Sequence, residues 1–178
     1  MGPASIDPGV RIGHVHLKVA DIDCALTFHC GVLGFSLRRA WLPIDAAPGA
    51  ASGLYFRWRL SPSHRTQHLG RGGNPPPPGS TGLYHLAVLY PSRAALADAS
   101  RRLMAAKIPL EGASDHGVSE ALYLRDPDDN GVELYWDRPR EQWPRNTDGE
   151  LAMFTAPLDL IALLKEPELT PQAAVAGR

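Results

Sequence analysis

Three side chains far apart in the sequence could together do metal chemistry. His14 and His85 each open a short alternating stretch. Glu133 lies in a third, VELYWD at 132–137, where period-two alternation puts it with Tyr135 on one face and Leu134 with Trp136 on the other. Two imidazoles and one carboxylate make the facial set that suits Fe(II), with open positions for a bidentate substrate and dioxygen together. A lone histidine at a strand start is more often structural than a ligand. The weight comes from a repeat that puts His14 and His85 at matching points.

That repeat organises the elements around them. Ile12 to Asp21 reads IGHVHLKVAD, and Leu83 to Ser92 reads LYHLAVLYPS. From His14 to Asp21 is seven positions, and from His85 to Ser92 is again seven. Asp21 and Ser92 are good N-caps, because a side-chain oxygen satisfies a free backbone N–H at a helix start. Ala25, Leu26, Phe28 and Val32 then recur at near-helical spacing, as do Leu96, Ala99, Leu103 and Ala106. Gly31 and Gly34 predict the end of the first helix, and Pro109 the end of the second. Turn residues follow, then two strands, EALYLR at 120–125 and VELYWD at 132–137, joined by DPDDNG. The second module thus reads β-α-β-β-β. The first begins alike, with FSLRRAWLP as its next strand, and is poorly patterned from Ile44 to Gly73. The expected architecture is α+β: two βαβββ modules, at 10–70 and 82–139, forming a curved mixed sheet of half-barrels around a metal cleft. GRGGNPPPPGSTG at 70–82 is a stiff, extended linker between them. Residues 140–178 form a tail in which PLDLIALLKE predicts one amphipathic helix, with Pro157 in its first turn. Exposed Trp and Leu of the tail could support a homodimer, or the helix could cover an open sheet edge.

Composition excludes several classes. The 178 residues are 44% hydrophobic and 21% charged, which suits one globular domain with a tail. A net charge of −1 leaves no basic excess for nucleic acid. No apolar run approaches the roughly 18–20 residues of a membrane span, and MGPASIDPG does not read as a secretory signal. With only Cys24 and Cys30, neither a disulfide scaffold nor a four-cysteine zinc site is expected. The default expectation is a soluble cytoplasmic domain.

Several stretches together carry a family resemblance. GHVHLKVADIDCALTFHCGVLGF and LYHLAVLYP resemble the opening strands of the two modules in the vicinal oxygen chelate superfamily, which holds glyoxalases, bleomycin-resistance proteins and extradiol ring-cleaving dioxygenases. HGVSEALYLRDPDDNGVE, from His116 to Glu133, resembles the extradiol dioxygenase motif. The GLYH strand, proline-rich linker and WP-containing tail are similar to small catechol-2,3-dioxygenase-like proteins. Ser114 and Asp129 depart from the pattern, the second mildly, since Asp tolerates turn conformations. The resemblance implies that His14, His85 and Glu133 ligate Fe(II), or Mn(II), which suits the same donors. His16, two residues from His14, stays open as the alternative ligand. His116 and Tyr123 would be the catalytic pair that hydrogen-bonds substrate oxygen. A catechol must lose a proton to chelate a metal, and a neighbouring O–H or N–H stabilises the charge that develops. The implied activity is ring cleavage of a small aromatic diol by dioxygen. A four-ligand lyase of this superfamily is disfavoured, because GLYFRWRLSPSHRTQHLG offers only Gln67 as a fourth donor. A metal-free binding or resistance protein would not need the triad.

One stretch departs strongly. Where extradiol enzymes resemble a His-His strand supplying the acid/base, Phe56 to Gly70 reads FRWRLSPSHRTQHLG. If Ser61 to Leu69 are encoded TCA CCA TCA CAT CGG ACT CAA CAC CTG, reading one base later gives HHHIGLNTW. This predicts a compensated frameshift, in the gene or its recorded sequence, within residues 45–74. If the written residues stand, His64 or His68 is the available substitute, and neither lies in a recognisable strand.

Overall fold

The computed structural model describes residues 15–35, 52–56, 77 and 79–169. The backbone divides into two compact units, 1–30 with 34–74 and 31–33 with 75–178.

In the first unit, strand β1 (Val15–Val19) pairs antiparallel with β2 (Ser52–Phe56), His16 opposite Tyr55 and Leu17 opposite Leu54. Helix α1 (Ile22–Leu26) starts where the sequence predicts, the Asp21 carboxylate accepting from the Cys24 N–H at 2.9 Å. Leu17, Val19 and Ala25 form a small core, flanked by Ile22 and Leu26. The predicted single helix changes character at Thr27. Residues Thr27–Val32 are π-helical, a wider turn that near-helical spacing does not distinguish. His14, His64, His68, all of FSLRRAWLP after Phe35 and most of the 45–74 stretch lie outside the described residues.

The second unit is a mixed five-stranded sheet with helices. Its strands are β3 (Leu86–Leu89), β4 (Gly112–Asp115), β5 (Ser119–Arg125), β6 (Gly131–Asp137) and β7 (Ala156–Pro157), in the order β3-β6-β5-β4-β7. β3 runs parallel to β6, and the other pairs are antiparallel. Helix α2 (Arg93–Ala105) connects β3 to β4, and the Ser92 hydroxyl caps it, accepting from the Ala95 N–H at 3.2 Å. Leu96, Ala99 and Leu103 are buried as the periodicity predicts. Ala106 is not, because it is the C-cap and Lys107 turns left-handed at φ 57°, ending the helix before Pro109.

Three sequence expectations need correction. GASD at 112–115, which falls among the residues read as turn, is strand β4 and supplies the first of the three strands after the helix in the β-α-β-β-β pattern; it lacks apolar alternation and takes its strand form from its β5 and β7 neighbours. The tail helix is shorter than PLDLIALLKE: α3 spans Leu160–Leu164, capped by Asp159, whose carboxylate accepts from the Ala162 N–H at 2.9 Å. Pro157 is not in its first turn but in β7, where a residue without an N–H is tolerated on an edge strand. The described tail thus covers the β4 edge, and Leu163 is fully buried. Arg93 donates to the Ala162 carbonyl of α3 at 3.3 Å and, just beyond that helix, to Glu166 at 2.7 Å. Among the described residues, no helix is long and apolar enough to cross a membrane.

Candidate metal and hydrogen-bonding site

The site grows out of strand register. Leu122, Leu124, Val132 and Leu134 are buried, so alternation turns Tyr123 and Glu133 to the opposite face of the sheet. β5 and β6 pair with Tyr123 directly opposite Glu133, the position where cross-strand side chains meet. β3 pairs Ala87 with Glu133, bringing His85, just before that strand, to the same place. Gly131 permits this close approach. A Cβ there would lie 2.1 Å from the Tyr84 carbonyl oxygen and 3.1 Å from His85 Cα.

The turn from β5 to β6 holds the register. Buried Asp126 accepts from the N–H groups of Asp128 at 2.9 Å and Asn130 at 2.8 Å. The left-handed residue is Asp129, φ 65°, where Gly or Asn is the commoner choice.

His116 comes from the turn between β4 and β5. Its N–H donates to the Ser119 carbonyl at 2.9 Å, and the Asp115 carboxylate accepts from the Gly117 N–H at 2.8 Å. Gly117 has φ 75°, and a Cβ on it would meet Phe154 at 2.6 Å and Pro144 at 2.8 Å, so only glycine fits there. Arg138 donates to Asp115 at 2.8 Å and to Glu120 at 2.8 Å, and buried Glu120 also accepts from Arg93 at 2.8 Å. This ion network ties the His116 turn to α2.

The side chains form one continuous run. His85 Nε2 lies 2.9 Å from Glu133 Oε2. Tyr123 donates its O–H to Glu133 Oε1 at 3.1 Å, and His116 Nε2 lies 2.9 Å from the same phenolic oxygen. His116 Nδ1 lies 3.1 Å from the Thr155 hydroxyl. Burial, then the negative charge and hydrogen bond of Glu133, then Tyr84, push the Tyr123 phenol up to about 12. Tyr123 therefore keeps its proton at neutral pH and acts as a donor.

Four of the residues singled out in the sequence, His85, His116, Tyr123 and Glu133, thus come within one hydrogen-bonded run. His14 lies outside the described residues. His16 is placed only by its backbone pairing with Tyr55. Among the described residues no three His, Cys, Asp or Glu side chains gather to hold a metal. The pair that does meet suits one. Two donors about 2.1 Å from a shared cation at adjacent corners of an octahedron stand roughly 3.0 Å apart, and His85 and Glu133 are 2.9 Å apart. His85 Nδ1 is buried without a partner among the described residues. Sequence reasoning missed Thr155 and the Arg93–Glu120–Arg138 network. A signal for the latter was present: Glu120 alternates in phase with Leu122 and Leu124, and an acid on a buried face demands a cation.

The second unit is thus an α+β sheet that carries a His–Glu–Tyr–His run on one face. Residues 11–134 match the family described as Glyoxalase/Bleomycin resistance protein/Dioxygenase superfamily, and the chain belongs to it. It is 38% identical over 162 residues to the catechol-2,3-dioxygenase of Bacillus subtilis (strain 168), covering 91% of this chain and 54% of that protein, so it spans about half of that relative. It is 31% identical over 173 residues to biphenyl-2,3-diol 1,2-dioxygenase 2 of Rhodococcus globerulus, covering 94% of this chain and 83% of that one. The crystal structure of a glyoxalase/dioxygenase from Nostoc punctiforme shares the fold, with a TM-score of 0.52 at 20% identity, covering 76% of this chain and 98% of that chain.

Proposed function

We propose that this protein is an extradiol dioxygenase that opens a catechol-type ring with dioxygen, using Fe(II) or Mn(II). The observation that carries the reading is the 2.9 Å contact of His85 with Glu133, with Tyr123 and His116 hydrogen-bonded beside it. Similarity to two diol dioxygenases supports the same chemistry. In this reading His85 and Glu133 are metal ligands and His14 is the third, on the strength of its seven-residue spacing to Asp21, which matches that of His85 to Ser92. When bound, the metal supplies a Lewis-acidic centre with open positions for the diol and dioxygen.

The chain's own groups handle the proton and the charge. A catechol gives up a proton to chelate, and negative charge develops on its oxygen. Tyr123 O–H and His116 Nε2–H, directed without substrate at Glu133 and at the Tyr123 oxygen, are the donors that would turn to that oxygen. A hydrogen bond to a charged group is worth about 1.5–3 kcal/mol net, so each donor is asked for roughly a 10- to 100-fold effect. The setting of this reading is cytoplasmic.

The test is anaerobic purification, addition of Fe(II), and oxygen uptake with catechols. The expected result is stoichiometric metal, oxygen consumption and a yellow ring-fission product. Metal uptake without oxygen consumption overturns the dioxygenase reading. The unusual 56–70 stretch favours, as a second reading, a non-catalytic small-molecule binding protein of the same fold. Absence of metal uptake, with tight binding of an aromatic ligand, would establish it.

A further inference from the structure

We propose that Thr155, in the tail beyond the family-matched residues 11–134, is a positioning residue that anchors His116 with its proton on Nε2. The argument follows hydrogen-bond polarity along the run. Tyr123 spends its single proton on Glu133 Oε1. Its oxygen can then only accept from His116, 2.9 Å away, so Nε2 carries a hydrogen. In the neutral ring Nδ1 is left with a lone pair, which needs a donor. The Thr155 hydroxyl stands 3.1 Å from it. Glu133 thus sets the direction of the chain, and Thr155 closes its far end.

The tail is built to deliver that hydroxyl. β7 pairs with β4, Asp115 opposite Ala156 and Ser114 opposite Pro157, which places Thr155 beside His116. The Leu158 N–H donates to the Ala113 carbonyl at 3.2 Å, and the Phe154 N–H to the His116 carbonyl at 3.4 Å, holding the segment on both sides. Phe154 and Pro144 close over Gly117, where no side chain fits. The tail therefore belongs to the site.

The test uses the full chain and Thr155→Val, Thr155→Ala and Thr155→Ser, with nitrogen NMR of the imidazoles. The His116 signals are identified by their loss in His116→Asn. Wild type is expected to show a pyrrole-like Nε2 and a pyridine-like Nδ1. Valine or alanine should average the two nitrogens toward a mixture of tautomers, and serine should restore the wild-type pattern. A wild-type His116 protonated on Nδ1 overturns the proposal without any variant, as does an unchanged pattern in the folded valine or alanine protein. The kinetic arm rests on the function proposed above. There Thr155→Val should lower kcat about fivefold with KM little changed, the equivalent of one net hydrogen bond of ~1 kcal/mol. A tautomer shift in a protein that cleaves no diol would leave Thr155 in its role and remove the dioxygenase reading alone.

Discussion

Replacing Gly131 by alanine tests whether backbone proximity, not only side-chain identity, places His85. The added Cβ would lie 2.1 Å from the Tyr84 carbonyl oxygen, and since contacts under 3.0 Å are essentially never seen, the backbones must part by about 0.9 Å. The obstacle is backbone, so no rotamer change relieves it. If the His85 segment takes up that motion away from β6, its contact with Glu133 opens from 2.9 Å to about 3.8 Å, beyond hydrogen-bonding range. Overpacking of this kind costs about 1–3 kcal/mol, which for a chain of this length lowers Tm by roughly 2–12 °C. In the function proposed above, Fe(II) or Mn(II) affinity should fall about 10- to 100-fold, as when a ligand's support is removed.

Thermal and urea melts measure the first effect, and nitrogen NMR of the His85 ring with metal-binding calorimetry the second. Gly112→Ala is the matched control. Its Cβ meets only Tyr123 Cδ2, at 3.7 Å, an ordinary contact. That variant should be as stable as wild type or up to about 1 kcal/mol more, through the restricted unfolded chain. A Gly131→Ala protein that melts with wild type and keeps the wild-type His85 ring signals would refute the steric argument.

Three further expectations follow from the same contacts. Glu120→Ala leaves Arg93 and Arg138 without their buried partner. Glu120 is only 4% exposed but each arginine is 22% exposed and can turn to water, so the loss should be about 2–3 kcal/mol, below that of a fully buried pair, and is read by urea denaturation; a change under about 0.5 kcal/mol would show that the network holds nothing. Tyr123→Phe removes the oxygen joining Glu133 to His116 and, in the function proposed above, should lower kcat/KM about 10- to 100-fold while changing stability by about 1 kcal/mol, one part-buried neutral hydrogen-bonding group; steady-state kinetics and a melt of the same sample check both. Sequencing the coding DNA across residues 45–74 should reveal codons compatible with HHHIGLNTW in the neighbouring frame, and a single incompatible codon ends that reading.

What was legible in the sequence is what local chemistry dictates. Asp21 and Ser92 cap their helices because a side-chain oxygen beside free N–H groups has one good use. DPDDNG is a turn because Asp126 can gather the N–H groups around it. Strands β5 and β6 stand out through alternation, and with them the facing of Tyr123 and Glu133. The illegible parts depend on partners distant in the chain. GASD becomes a strand only between β5 and β7, and Pro157 is drawn from the expected helix into that same edge. Thr155 acquires meaning only because the edge pairing sets it beside His116, some forty residues earlier. The π-helical turns at Thr27–Val32 share the apolar spacing of an ordinary helix, and the spacing is all the sequence displays.

The chemistry of this face is decided by the apolar residues behind it. A one-residue slip between β5 and β6 would turn the aliphatic pair of the strand that moves, Leu122 with Leu124 or Val132 with Leu134, to the other face and bury Tyr123 or Glu133 in its place. Each of those aliphatic side chains gains about 1.5–3 kcal/mol from burial, while the Tyr123–Glu133 hydrogen bond contributes about 1 kcal/mol. The polar run therefore cannot set its own register; the core does, and the Asp126 turn pins it at one end. The arrangement follows from two unequal forces. Strong, non-directional burial chooses the pairing, and weak, directional contacts then use the oxygen and nitrogen atoms that the pairing brings within 3.1 Å of one another. Substitutions in the hydrogen-bonded run should accordingly alter chemistry at little cost to the fold, and substitutions behind it should destroy both together.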